Sequence, residues 1–120
     1  MPEEPKYLGN REPFDGLDTF ASPGASSVQF TGRELTCSCP VTGQPDFYNV
    51  IINYRPKEKC VESKSLKLYL MTFRDTSMYA EALSVKIAQD IHEAVAPVSL
   101  TVTLTQQVRG GLTLTTQTVL

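Results

Sequence analysis

The apolar residues of this chain change period twice, from two to about 3.6 and back to two, and few folds accommodate that order. In the stretch Phe47–Tyr54, the side chains of Tyr48, Val50, Ile52 and Tyr54 share one face, which predicts a strand with one buried side. Leu66, Tyr69, Leu70 and Phe73 then fall at i, i+3, i+4 and i+7, predicting an amphipathic helix over 63–74. Asp75-Thr76-Ser77 interrupts it and offers N-capping side chains to a second helix over 77–95. There Tyr79, Leu83, Ile87, Ile91 and Val95 step by four along one face, and Pro97 ends the helix. Alternation returns in Val98, Leu100, Val102 and Leu104, and continues in Leu112 and Leu114 beyond a turn at Arg109-Gly110-Gly111. With a further strand at Ser27–Leu35, the order is strand, strand, helix, helix, strand, strand. That is an α+β plan, an antiparallel sheet with two helices on one face.

Residues 1–27, with Pro2, Pro5, Pro13, Pro23 and a Ser/Ala/Gly cluster at 21–27, read as an irregular arm before one domain at 28–120. A single small domain of this length buries a modest core, so association of subunits is expected. The formal net charge of −2 argues against a general nucleic-acid binder, although Lys64 and Lys67 lie close enough to make a local phosphate patch. No apolar leader opens the sequence and no run of about 18 apolar residues follows, so the expectation is a soluble, cytoplasmic protein with no membrane partner. Three cysteines, Cys37, Cys39 and Cys60, with His92 as the lone histidine, suggest neither a disulfide framework nor a metal site.

Three segments could carry chemistry. In Cys39-Pro40-Val41-Thr42-Gly43-Gln44-Pro45-Asp46 a cysteine sits in a loop shaped by two prolines and a glycine. If the loop folds back, Asp46 lies beside Cys39 as a proton carrier; the plain alternative is a buried loop cysteine and a turn aspartate. In Glu62-Ser63-Lys64-Ser65-Leu66-Lys67 the helix N-terminus meets two lysines, a reasonable phosphate seat, and Glu62 could accept from a ligand's ring or amino N–H. A capping serine with a solvated charged face would look the same. Arg109-Gly110-Gly111 could let guanidinium and backbone approach a phosphate, or could be an ordinary hairpin turn.

Together the segments are more specific than apart. The run Cys39-Pro40-x-Thr42-Gly43-Gln44-Pro45-Asp46-Phe47, the run Val61-Glu62-Ser63-Lys64-Ser65-Leu66-Lys67-Leu68-Tyr69-Leu70, Phe73-Arg74 and Arg109-Gly110-Gly111 resemble the NADPH-dependent 7-cyano-7-deazaguanine reductases. These are the nitrile reductases of queuosine biosynthesis, a transfer-RNA modification, here in short single-module form. The resemblance covers residues from about 30 to the end. It implies the tunnelling fold, with subunits forming rings, two of them stacked, and active sites between subunits. It also implies that Cys39, rather than Cys37 or Cys60, adds to the nitrile to give a thioimide, and that Asp46 supplies the proton. Two hydride transfers from NADPH would then give the aminomethyl product. Val61, Glu62, Ser63, Ala80 and Glu81 match the substrate-binding positions, with Glu62 and Glu81 holding the guanine-like edge. Ser63, Lys64, Lys67, Arg109 and Gly110 match the cofactor side.

The sequence departs from the family at two places. Where the family carries a histidine before its substrate-binding glutamate, this chain reads Tyr79-Ala80-Glu81, and Ala80 has neither donor nor acceptor. A cysteine often found two residues after that glutamate is Leu83. Three origins stay open for Ala80: an introduced substitution, a slower natural variant that leans on Asp46, or a homologue that binds the base without reducing it. The amidinotransferase branch lacks the cofactor residues kept here, and a cyclohydrolase of the same fold would need a zinc set of histidine and cysteine that is missing.

Overall fold

The computed structural model describes residues 14–120, so the first half of the arm, with Pro2, Pro5 and Pro13, lies outside the described residues. Its elements are β1 (Thr19–Ala21), β2 (Val28–Ser38), β3 (Pro45–Arg55), β4 (Lys59–Val61), α1 (Ser63–Met71), a 3-10 turn (Thr72–Asp75), α2 (Ala80–Val95), β5 (Ser99–Arg109) and β6 (Leu112–Val119). The four long strands make an antiparallel sheet in the order β2-β3-β5-β6. Period-two alternation turns Tyr48, Val50, Ile52 and Tyr54 of β3, and Leu100, Val102 and Leu104 of β5, to the same buried face. Leu66, Tyr69 and Phe73 from the first helical stretch and Leu83, Ile87, Ile91 and Val95 from α2 close the core over it. Buried Ser84 fixes α2 to β6, its hydroxyl lying 2.9 Å from that of Thr118. The other sheet face leaves Phe47 and Ile51 exposed.

Several local expectations change. The arm contains a strand: β1 pairs antiparallel with β4, Thr19 opposite Val61, in a separate two-stranded sheet. Three-residue strands are too short to show periodicity. The first long strand runs on to Ser38 and so includes Cys37, with a bulge between Gly32 and Leu35 where Glu34 takes a φ of 65°. The first helix tightens to a 3-10 turn at Thr72 instead of staying α-helical to residue 74.

Asp75-Thr76-Ser77 does not cap α2. The N-cap is Tyr79, with no side-chain cap hydrogen bond, and its ring is exposed rather than on the buried stripe. The segment before it is held by β2 instead. Ser38 N–H donates to the Thr76 carbonyl at 2.9 Å, and Met78 N–H donates to the Ser38 carbonyl at 3.1 Å. At the far end, Ala96 accepts a left-handed conformation as the helix terminates before Pro97. Gly110 and Gly111 both have positive φ, as a two-residue hairpin turn joining strands of right-handed twist requires.

Candidate active site

Leaving β2, the chain folds Cys39–Gln44 into a tight loop and returns as β3. Cys39 N–H donates to the Gln44 carbonyl at 2.8 Å, and Gly43 N–H donates to the Cys39 carbonyl at 2.9 Å. The return requires Gly43 at a φ of 71°, which a side chain resists. Because Cys37 pairs with Asp46 across the strands, the loop places Asp46 next to the cysteine-bearing end of β2. Arg109, arriving on β5, donates through one guanidinium nitrogen to Asp46 Oδ1 and through the other to Gln44 Oε1 at 2.9 Å.

The three thiols are free and differ in kind. Cys37 is fully buried, its Sγ donates to the Thr76 carbonyl at 3.1 Å, and burial pushes its proton affinity up. Cys60 is buried as well. Cys39 is only partly buried. Its thiol is held below the ordinary value by hydrogen bonding from Thr42, backbone first and then side chain, and from the Val41 backbone. Donors aimed at sulfur stabilise the thiolate, the form that attacks an electrophile.

One layer deeper on β3, on the same face as Asp46, lies Tyr48 with 1% of its surface exposed. Burial, and then the charges of Asp46, Cys37, Cys39 and Glu81, push its phenol up to about 12. Among the described residues its hydroxyl makes no hydrogen bond. Through the Ser38–Ser77 bridge, the start of α2 is drawn to this same end, bringing buried Ala80 and exposed Glu81.

The second group of candidate residues lies elsewhere in the subunit. Val61 N–H donates to the Tyr54 hydroxyl at 2.9 Å. Tyr54 is eight residues along β3 from Asp46. At about 3.4 Å per residue those positions are ~27 Å apart, far beyond the span of a bicyclic base. Val61, and with it the adjoining Glu62 and Ser63, therefore cannot share a small ligand with Cys39 inside one chain.

The local chemistry at Glu62 also differs from expectation. Glu62 itself is the N-cap of α1, its two carboxylate oxygens accepting from Lys64 N–H at 2.7 Å and Ser65 N–H at 2.8 Å. These bonds hold its carboxyl below the usual range. A carboxylate that already fills the helix-terminal donors displaces the phosphate expected there, because one anion excludes another from the same N–H groups. Ser63 and Lys67 instead line a cavity between α1 and β2, together with Arg33 and Arg74. Arg109 and Gly110 sit at the opposite hairpin end, with Arg109 engaged by Asp46 and Gln44 rather than turned to an outside phosphate.

Sequence reasoning missed the roles of Thr42 and Gln44, both visible in the loop motif but mute about which hydrogen bonds they make. It gave no role to Arg33, or to Arg74 beyond its place in the Phe73-Arg74 run, since nothing in their spacing places them around one hollow. No group of three or more His, Cys, Asp or Glu side chains converges among the described residues, and none of the described helices is long and apolar enough to cross a membrane.

A family profile described as QueF-like protein matches residues 45–119. The NADPH-dependent 7-cyano-7-deazaguanine reductase of Frankia casuarinae is 46% identical over 99 residues, covering 82% of this chain and 79% of that protein. The protein of the same name from an Anaeromyxobacter species is 44% identical over 104 residues, covering 84% and 85%. That from Nitrosospira multiformis is 43% identical over 103 residues, covering 83% and 74%. Among solved structures, an archaeosine synthase QueF-Like in the apo form superposes with a TM-score of 0.76 at 21% identity, over 80% of this chain and 94% of that one.

Proposed function

The chain belongs to the family of the NADPH-dependent 7-cyano-7-deazaguanine reductases, and from that membership we propose that it reduces the nitrile of 7-cyano-7-deazaguanine to an aminomethyl group in queuosine biosynthesis. The single observation that carries the residue-level reading is that Cys39 alone of the three thiols is both accessible and shifted toward thiolate. Its sulfur adds to the nitrile carbon, and the thiol proton passes by way of Asp46 to the nitrile nitrogen, so that S–H and C≡N become S–C=NH. Arg109 and Gln44 fix the Asp46 end of that path. NADPH supplies hydride when bound. Three cationic side chains and Ser63 around one cavity suit the phosphate groups of such a cofactor in charge.

We assign the subunit to the tunnelling fold, on the ββααββ order and the likeness to the archaeosine synthase. A ring of such subunits, stacked in pairs, would resolve the separation along β3: Cys39, Asp46 and the start of α2 come from one subunit, Val61, Glu62 and Ser63 from its neighbour. In that arrangement Glu62 and Glu81 accept from the ring and amino N–H groups of the base, and Glu62 does so while capping α1, because each carboxylate oxygen has a second lone pair. Domain 28–120, together with the short β1 that is tied to β4, is the catalytic unit, acting in the cytoplasm.

Ala80 leaves proton transfer to Asp46, and losing one general acid slows a reaction by about 10²–10⁴-fold. That observation favours, as a second reading, a homologue that captures the base with little turnover. Mixing the protein with 7-cyano-7-deazaguanine and NADPH, while following reduced nicotinamide absorbance and intact mass, separates the readings. Steady NADPH loss that vanishes in Cys39→Ala is the expected result. A mass increase equal to the base without NADPH loss places the defect after thioimide formation. Binding with neither signal overturns the enzyme reading.

A further inference from the structure

With the α1 terminus filled by Glu62, the phosphates of a dinucleotide need another seat, and the cavity beside it has an unusual charge distribution. The hollow measures about 310 Å³ between β2 and the stretch from α1 to the 3-10 turn. Phe30, Val50, Ile52, Leu66 and Leu70 give it an apolar floor. Arg33, Lys67 and Arg74 stand around it, against one carboxylate, Glu34. Among the described residues none of these three cations enters an ion pair, on a chain whose formal net charge is −2. Gathering unpaired positive charge on an acidic protein costs repulsion and leaves an anion-shaped complement.

The backbone is also bent for the purpose. The bulge between Gly32 and Leu35 interrupts the alternation of β2 so that two successive residues, Arg33 and Glu34, face outward. Glu34 sits at a φ of 65°, a strained conformation for a side chain with a Cβ. Gly32 admits no substituent there, since a Cβ would stand 2.8 Å from Val50 Cγ1. Strain of this kind, at the lip of a basic hollow, is characteristic of ligand sites.

We infer that this cavity holds the phosphorylated adenosine end of the cofactor, with Arg33 and Arg74 as specificity residues for the 2′-phosphate and Lys67 as a further cation. The apolar floor takes the adenine ring. Two guanidinium forks supply paired N–H donors that suit a dianionic phosphate monoester. Only the naming of the cofactor rests on the reductase reading; the binding chemistry stands by itself.

The test is calorimetric titration of the full chain with adenosine 2′,5′-bisphosphate and, separately, with adenosine 5′-monophosphate, which lacks the 2′-phosphate. The bisphosphate is expected to bind about tenfold tighter or more, as loss of a charge-assisted contact predicts. Arg33→Gln and Arg74→Gln should each weaken it about tenfold while leaving the monophosphate unchanged. Glu34→Gln, which removes the opposing charge, should tighten it, and that opposite sign keeps the test valid if an arginine variant folds poorly. Equal affinity for the two nucleotides, no binding of either, or a 2′-phosphate preference untouched by all three substitutions overturns the inference even if the chain reduces nitriles. A 2′-phosphate preference that depends on Arg33 and Arg74 in a protein that never oxidises NADPH sinks the reductase reading and leaves this site standing.

Discussion

Removing one hydroxyl from each of three buried tyrosines should change stability with different signs, because the three phenols differ in what they touch. Tyr48 and Tyr54 are each 1% exposed and Tyr69 5%. The Tyr54 oxygen accepts from the buried Val61 N–H at 2.9 Å, and Tyr69 donates to Asp90 Oδ2 at 2.6 Å. The Tyr48 hydroxyl has no partner among the described residues. A buried polar group without a partner carries a desolvation penalty of ~1–3 kcal/mol. Tyr48→Phe keeps the ring and deletes that penalty, so it is expected to stabilise by about 1 kcal/mol. Tyr54→Phe strands a buried N–H and should cost ~1–2 kcal/mol. Tyr69→Phe removes a bond to a carboxylate that can regain water, which limits the loss to about 1 kcal/mol.

Urea unfolding reads these differences directly. With a slope of about 1–3 kcal/mol per molar, each kilocalorie moves the midpoint by roughly 0.3–1 M. Protein concentration must be held fixed, because association of subunits, where it occurs, adds to the apparent stability. A Tyr48→Phe midpoint that falls as far as that of Tyr54→Phe would mean the hydroxyl has a partner, and the account of this end of the core would be wrong.

Alkylation of Cys39 by iodoacetamide should follow its thiolate: the lowered proton affinity puts the midpoint of the rate–pH curve below the ordinary thiol value of 9.0, and a midpoint at or above it refutes the assignment. Glu62→Ala should lower the unfolding midpoint at neutral pH. Since the folded carboxyl lies below its ordinary 4.5, the stabilisation is complete above that value and is lost as pH falls through the folded value, so the gap to the parent protein must close in acid; a pH-independent gap rejects the cap. Gly32→Ala should cost ~1–3 kcal/mol by forcing a Cβ against Val50, and an unchanged midpoint would show that the bulge yields. Mixing Cys39→Ala and Glu62→Ala subunits after joint unfolding and refolding should restore about a quarter of the sites if neighbours share them, and none if each site belongs to one chain.

Much of this architecture is legible in residue order alone. The alternation of Tyr48, Val50, Ile52 and Tyr54 and the four-residue steps from Leu83 to Val95 fix faces, because one-sided burial imposes a period on whatever element bears it. What the sequence hides is pairing over distance. Nothing local shows that Thr19 will lie against Val61, or that Ser38 will seize the backbone of Thr76 and Met78 and leave α2 without a side-chain cap. At the site, the loop from Cys39 to Asp46 is readable because it is contiguous. Arg109 is readable only as a turn arginine until β5 brings it 63 residues back to Asp46. The role of Glu62 is obscured for a different reason: N-caps favour serine, threonine, asparagine and aspartate, and a glutamate there draws attention to its charge instead of its position.

Cys37 and Cys39 stand two residues apart, yet only Cys39 is open to solvent. The sulfur of Cys37 is turned into the core and bound to the Thr76 carbonyl, Cys60 is buried on β4 opposite Phe20 of β1, and the chain has no fourth cysteine. If peroxide converts Cys39 to a sulfenic acid, the other two thiols of the chain are buried and neither is exposed to condense with it. The damage is then undone by a small-molecule thiol arriving from solution or proceeds to the irreversible sulfinic state. With Cys39 as the nucleophile proposed above, the working lifetime of the protein would be set by the reducing strength of its surroundings, and a store kept without added thiol should age at one sulfur atom.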